Sequence, residues 1–95
     1  MPDRVVRFTE AFFDRLAELL PEERPGDGTP SMTDFLLFDI PAVRDQLAAD
    51  CESSTLPTAE PDVRVYVGSG LMVPRFALFA VVADNAVAVI WIDVE

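Results

Sequence analysis

The chain is predicted to fold as a single α+β domain spanning residues 1–95, a small antiparallel sheet with helices packed on one of its faces. Three observations carry this prediction. Residues 63–94 are dense in β-branched and aromatic side chains in runs of strand length, and two helical stripes precede them. A further short strand pattern opens the chain, so that the order reads β-α-α-β-β-β. The sequence is 51% apolar over 95 residues, enough for a small independent core and too apolar for a disordered segment.

Taken in order, Arg4 to Phe8 reads as the opening strand, with Val6 and Phe8 on one face. Thr9 has the chemistry of a helix N-cap, and Glu10 follows in the first turn, where a negative charge suits the helix dipole. Phe12, Leu16, Leu19 and Leu20 recur at helical spacing, Phe13 and Ala17 widen the stripe, and Pro21 ends it. Residues 22–30 are a loop rich in breakers. Its Gly26-Asp27-Gly28 with nearby carboxylates has some of the chemistry of a Ca²⁺ loop but lacks the regular ligand spacing, so a solvated loop is expected. Ser31 and Asp34 form a capping-box pattern ahead of Met32, Phe35, Leu36 and Leu37. A short helix is expected to about Phe38, with Pro41 breaking or kinking it. Asp39 then caps a new turn, and Ile40, Val43, Leu47 and Cys51 form its inward stripe. Residues 52–62, with Pro57 and Pro61, read as loop.

Arg64 to Val67, Phe76 to Val82 and Val87 to Ile92 are the three later strands. Ala83-Asp84-Asn85-Ala86 between the last two holds an Asp-Asn pair that tolerates the positive φ of a tight primed turn. In both strands of this hairpin each face is apolar: Phe76, Leu78, Ala80 and Val82 against Ala77, Phe79 and Val81, then Val87, Val89 and Trp91 against Ala88, Ile90 and Ile92. A sheet with one wet face alternates apolar and polar residues. Helices drawn from a chain of this length can cover one face, so the other is expected to meet either a partner or a long loop over a bent sheet. Trp91 reads as a central core residue, so Trp91→Asp should cost several kcal/mol.

The net charge is −10, which disfavours unaided binding to phosphate-rich nucleic acid and suits a solvated acidic surface or a basic partner. No apolar run is long enough for a membrane span and no secretory leader is evident, so a cytoplasmic setting is expected. The lone Cys51 cannot form an internal disulfide, which fits a reducing compartment. As a nucleophile it would need a basic partner. The chain has no His, and all its cations are Arg, so a structural thiol is the expectation. No cofactor or metal is implied.

The opening Arg4-Val5-Val6-Arg7-Phe8-Thr9-Glu10-Ala11-Phe12, the strand Arg64-Val65-Tyr66-Val67-Gly68, Arg75 at the head of the next strand, and the closing apolar hairpin resemble the RelE/ParE superfamily of toxin–antitoxin toxins. The resemblance covers most of the chain at the level of architecture. It implies a RelE/ParE-like fold and, in RelE-like members, ribosome-dependent cleavage of messenger RNA by 2′-hydroxyl attack on the neighbouring phosphodiester. Such a reaction needs a proton acceptor and cations for the developing phosphorane charge. Carried over, Arg64 and Arg75 are the phosphate-stabilising cations and Tyr66 the proton-transfer group, Arg64 and Tyr66 sharing a face of a regular strand. Arginines at strand ends that pair with surface carboxylates are the ordinary alternative. The chain departs from the family in its lack of Lys and His, its acidity and its long 68–75 connection, so cleavage is expected to be weak or lost. ParE-like members, which inhibit gyrase, have no such site. Two functional readings follow: a toxin-superfamily protein paired with a cognate antitoxin, and a non-enzymatic acidic interaction module, homodimeric over its uncovered sheet face.

Overall fold

A computed structural model of the chain describes residues 3–23, 26 and 28–94. The elements run β1 (Val5–Phe8), α1 (Glu10–Leu19), α2 (Met32–Asp34), a π-helical turn (Phe35–Asp39), α3 (Ile40–Ser54), β2 (Leu56–Pro57), β3 (Val63–Gly68), β4 (Phe76–Val82) and β5 (Ala86–Val94). The sheet has five strands in the order β1-β5-β4-β3-β2. It is mixed rather than antiparallel throughout: the opening strand joins the sheet edge beside the last strand and runs parallel to it, Val5 opposite Ala86 and Phe8 opposite Val89. The connection that a parallel neighbour requires runs from β1 through the helices and then through β2, β3 and β4 before β5 returns beside β1.

The helix starts follow the local chemistry. Thr9 caps α1, its hydroxyl accepting from the Phe12 N–H and donating to the Val89 carbonyl, which ties the cap to β5. Ser31 and Asp34 form a reciprocal capping box. Pro41 sits in the first turn of α3, where no N–H is missed, so the chain passes from the π-helical turn into α3 without a break. Asp39 stands at the N-cap position of α3, but its side chain makes no cap bond there. The helix is kinked at Asp50.

The helices lie on one face of the sheet. Phe12, Leu16, Leu20, Phe35, Ile40, Val43, Leu47 and Cys51 meet Val73, Phe76, Leu78, Ala80, Val87, Val89 and Ile92 in one core. Edge-to-face contact between Phe35 and Phe76, with centroids 5.0 Å apart, joins the π-helical turn to β4. Phe13 and Ala17 do not widen the α1 stripe; both are exposed.

Three further expectations are corrected. The 83–86 turn contains no residue with positive φ, so it is not a primed turn; the Ala83 N–H donates to the Ala86 carbonyl around Asp84 and Asn85. Residues 56 and 57, expected in a loop, form a short edge strand on β3, with Leu56 opposite Val65. In β5 the register slips by one residue: Phe79 faces Trp91 but Ala80 faces Val89, leaving Ile90 as the extra residue of a β-bulge. The slip turns Ile92 into the core and Trp91 out of it, so Trp91 is not a central core residue; it is 41% exposed on the face opposite the helices. The Gly26-Asp27-Gly28 motif falls partly outside the described residues. No helix among the described residues is long and apolar enough to cross a membrane.

Candidate functional site: a bare sheet face and three separated residues

Arg64 and Tyr66 do share a face of β3, and it is the face turned to the helices, since they lie opposite the buried Ala80 and Leu78. There Arg64 is bound structurally. Its Nε donates to Thr55 Oγ1 at 2.6 Å, and its Nη2 donates to the carbonyls of Thr55 at 3.0 Å and Glu52 at 3.2 Å. Thr55 in turn donates to the Cys51 carbonyl at 2.6 Å. Arg64 therefore satisfies orphan carbonyls at the end of α3, a role that positive charge suits at a helix C-terminus. Tyr66 donates its hydroxyl to Gln46 Oε1 at 2.8 Å and stacks on Phe76. Burial pushes its phenol above the usual range, opposite to what a proton acceptor near neutrality needs.

Arg75 sits one residue before β4, at the far end of the sheet. It lines a shallow pocket of about 150 Å³ with Val67, Phe76, Ala77, Asp93 and Val94. Arg64 lies level with Ala80, five residues along β4 from Arg75, about 17 Å at the rise of a strand. Arg64 and Tyr66 are thus brought together, and Arg75 is not brought to them. One phosphate cannot touch both arginine positions as they stand.

Cys51 is fully buried, and that burial raises its thiol above the usual range against the lowering pull of the Arg4 charge. It has the environment of a structural thiol, as expected. Among the described residues no group of three or more His, Cys, Asp or Glu is placed to hold a metal ion.

Two features were not read from the sequence. The first is Asp39. Its buried carboxylate accepts the N–H of Leu71 at 2.7 Å, of Met72 at 3.1 Å and of Val73 at 2.9 Å. It fixes the connection between β3 and β4, and Gly70 packs directly beneath it, where a Cβ would collide with the carboxylate. Side-chain spacing could not show that a residue at the start of one helix caps a loop thirty residues later. The available signal was the long, Gly-flanked 68–75 connection, whose backbone donors need acceptors.

The second is the outer face of the sheet. Pairing registers place Trp91, Phe79, Val65 and Leu56 side by side across β5, β4, β3 and β2. On one side of this row lie Arg7, Ala88, Val81 and Val63, and on the other Asp93, Ala77 and Val67. Val67 and Leu56 are each 59% exposed, and no element among the described residues covers them. Arg7 and Asp93 are the only ionisable side chains among the strand residues paired into these rows. At one edge Arg15 reaches round from α1, donating to the Ile92 carbonyl at 3.2 Å and to Asp93 Oδ1 at 3.0 Å, with its guanidinium 4.7 Å from the Trp91 ring centroid.

Comparison with known protein families finds no family model that matches the chain, and neither curated proteins nor solved structures give a significant match.

Proposed function

We propose that the protein is a non-enzymatic interaction module that docks another polypeptide on the bare outer face of its sheet. One observation carries this reading: the row Trp91–Phe79–Val65–Leu56 is apolar across four strands and lies on the side away from every helix. Isolated surface apolar residues are ordinary, but contiguous apolar faces mark interaction sites. The engagement of Arg64 by Thr55 and Glu52 favours the same reading, because it gives that arginine a structural role. A lone buried thiol suits a cytoplasmic setting for such a module.

The test is a photo-cross-linking side chain placed at Val81 on the outer face and, as control, at the exposed Ala49 of α3, each expressed in the native cells. A discrete adduct from Val81 alone supports docking at the sheet. No adduct from Val81, or equal adducts from both positions, refutes it.

An opening strand, a helical segment and a closing set of strands, with Arg64-Val65-Tyr66-Val67-Gly68 as an inner strand of the sheet, favour a second reading: a RelE/ParE-like member of a toxin–antitoxin pair, with the cognate antitoxin as the docked chain. The 17 Å separation and the absence of Lys and His fit a member whose mRNA cleavage is weak or lost. Induced expression with growth followed decides this reading. Arrest relieved by Arg64→Ala with Arg75→Ala supports a working cationic site, and arrest unchanged by the double substitution rejects it. Absence of arrest rejects toxicity and leaves the interaction module.

A further inference from the structure

Resting on the docking reading above, we infer that the occupant of the outer face is a second copy of this chain, stacked sheet to sheet about a two-fold axis that runs along the row Trp91–Phe79–Val65–Leu56. Breadth is the first argument. Leu56 and Val67 are 59% exposed, Trp91 41% and Val81 37%, so the outward side chains form a contiguous apolar face rather than scattered single residues. A face spread over four strands is broad enough for the flat, self-complementary contact that a two-fold interface needs.

Charge is the second. The chain carries −10 in all, yet the outer rows hold one cation, Arg7, and one anion, Asp93, with the Arg15 guanidinium reaching over Trp91 at their edge. A strongly basic partner would find no complement on a face with so little negative charge, whereas an apolar face of nearly balanced charge matches itself. The acids lie chiefly on the helical layer and in the loops. Stacked sheets pack about 10 Å apart, and the helices of each copy lie on the far side of its own sheet. The two acidic layers are therefore separated by well over the Debye length of about 8 Å at physiological ionic strength, and self-repulsion is screened.

The positions of the two charges select the axis. Arg7 lies in the row on one side of the apolar row, and Asp93 in the row on the other, on the neighbouring strand. A two-fold axis along the middle row exchanges the flanking rows. It brings each Arg7 toward the partner copy's Asp93, one strand across, twice per dimer, and sets Phe79 and Val65 against their own symmetry mates at the dry centre, with Trp91 and the Arg15 guanidinium over it at the rim. Asp93 offers only Oδ1 to Arg15 and its side chain remains half exposed, so Oδ2 is open to a second guanidinium.

Sedimentation equilibrium tests the geometry. Wild type should dimerise. Arg7→Asp and Asp93→Arg should each weaken the dimer on the order of tenfold or more, because each sets two like-charged pairs face to face. An equimolar mixture of the two variants should recover the dimer, since both sites of the mixed pair are then oppositely charged. Trp91→Glu should remove the dimer while circular dichroism stays native. Should Asp93→Arg fail to fold, having lost Arg15, Asp93→Asn takes its place. Mixed with Arg7→Asp it relieves one repulsive site and restores the other pair, so the mixture still exceeds Arg7→Asp alone. A wild type that stays monomeric overturns the inference, and variants that dimerise like wild type, or a mixture no better than its components, overturn the axis. A monomeric wild type whose Val81 cross-linker still captures a different protein overturns only the second copy; one that captures nothing overturns the docking reading as well.

Discussion

The Asp39 carboxylate gives the sharpest test of how this small fold holds together. It is 4% exposed and accepts three consecutive backbone N–H groups, Leu71, Met72 and Val73. Asp39→Ala removes all three acceptors at once. The Val73 amide is buried and cannot rehydrate, so losing its charged partner costs about 2 kcal/mol. The Leu71 and Met72 amides are nearer solvent and recover part of their bonding from water, about 0.5–1 kcal/mol lost for each. The sum is about 3–4 kcal/mol, a large share of the about 5–15 kcal/mol that stabilises a domain. Asp39→Asn keeps one carbonyl oxygen and should cost about half as much. Urea unfolding of the three proteins reads these values directly, and native-state amide exchange at residues 71–73 reads the local effect. The reasoning is refuted if Asp39→Ala costs less than about 1 kcal/mol or leaves those amides as protected as before. Gly70→Ala should reproduce part of the loss, because its methyl displaces the same carboxylate.

The remaining predictions concern charge, the thiol and the outer face. A two-point hydrogen bond from Arg4 holds the Glu52 carboxyl below its usual range, so the pair stabilises the fold above the ordinary carboxylate range, and this contribution is lost as pH falls through the depressed folded value. Denaturation across the acid range should show that loss in wild type and a flatter profile in Arg4→Gln. Cys51 should react with an aromatic disulfide reagent only as fast as the protein opens, the rate rising with urea as unfolding does, because the thiol is buried and raised. Trp91→Asp should cost only about 1 kcal/mol in the monomer, the worth of partial burial and the Arg15 contact, as measured by thermal melting; a loss of several kcal/mol would return Trp91 to the core.

Much of this architecture is legible from residue spacing, and the exceptions share one cause. Thr9, Ser31 and Asp34 announce helix starts through local hydrogen bonds, and the stripe Ile40, Val43, Leu47, Cys51 is buried throughout as its period implies. Local chemistry suffices there. The bulge at Ile90 depends on how β5 sits against β4, and an apolar run such as 86–92 reads the same in either register. The only trace of the slip in the sequence is the switch from Val87 and Val89 inward to Ile92 inward. Asp39 departs from its local pattern for the same reason. Its position suggested a cap, but its carboxylate is taken by a loop distant in sequence. For the candidate site, spacing put Arg64 and Tyr66 on one face correctly, but it could not say that this face is the one under the helices, nor how far Arg75 lies from it. The two-sided apolar hairpin was readable, and so was its implication that helices would cover one side only.

The parallel pairing of β1 with β5 has a consequence for the order in which the molecule can assemble. The bond from Thr9 to the Val89 carbonyl spans 80 residues. During synthesis β1 and α1 emerge with their apolar sides ready but without the strand that receives them, and closing so long a loop is slow. The opening segment must therefore wait for the closing one. Until β5 is made, β1 has no ladder partner and α1 lacks the strand it packs on, so residues 5–19 become protected from proteases only once β5 is in place.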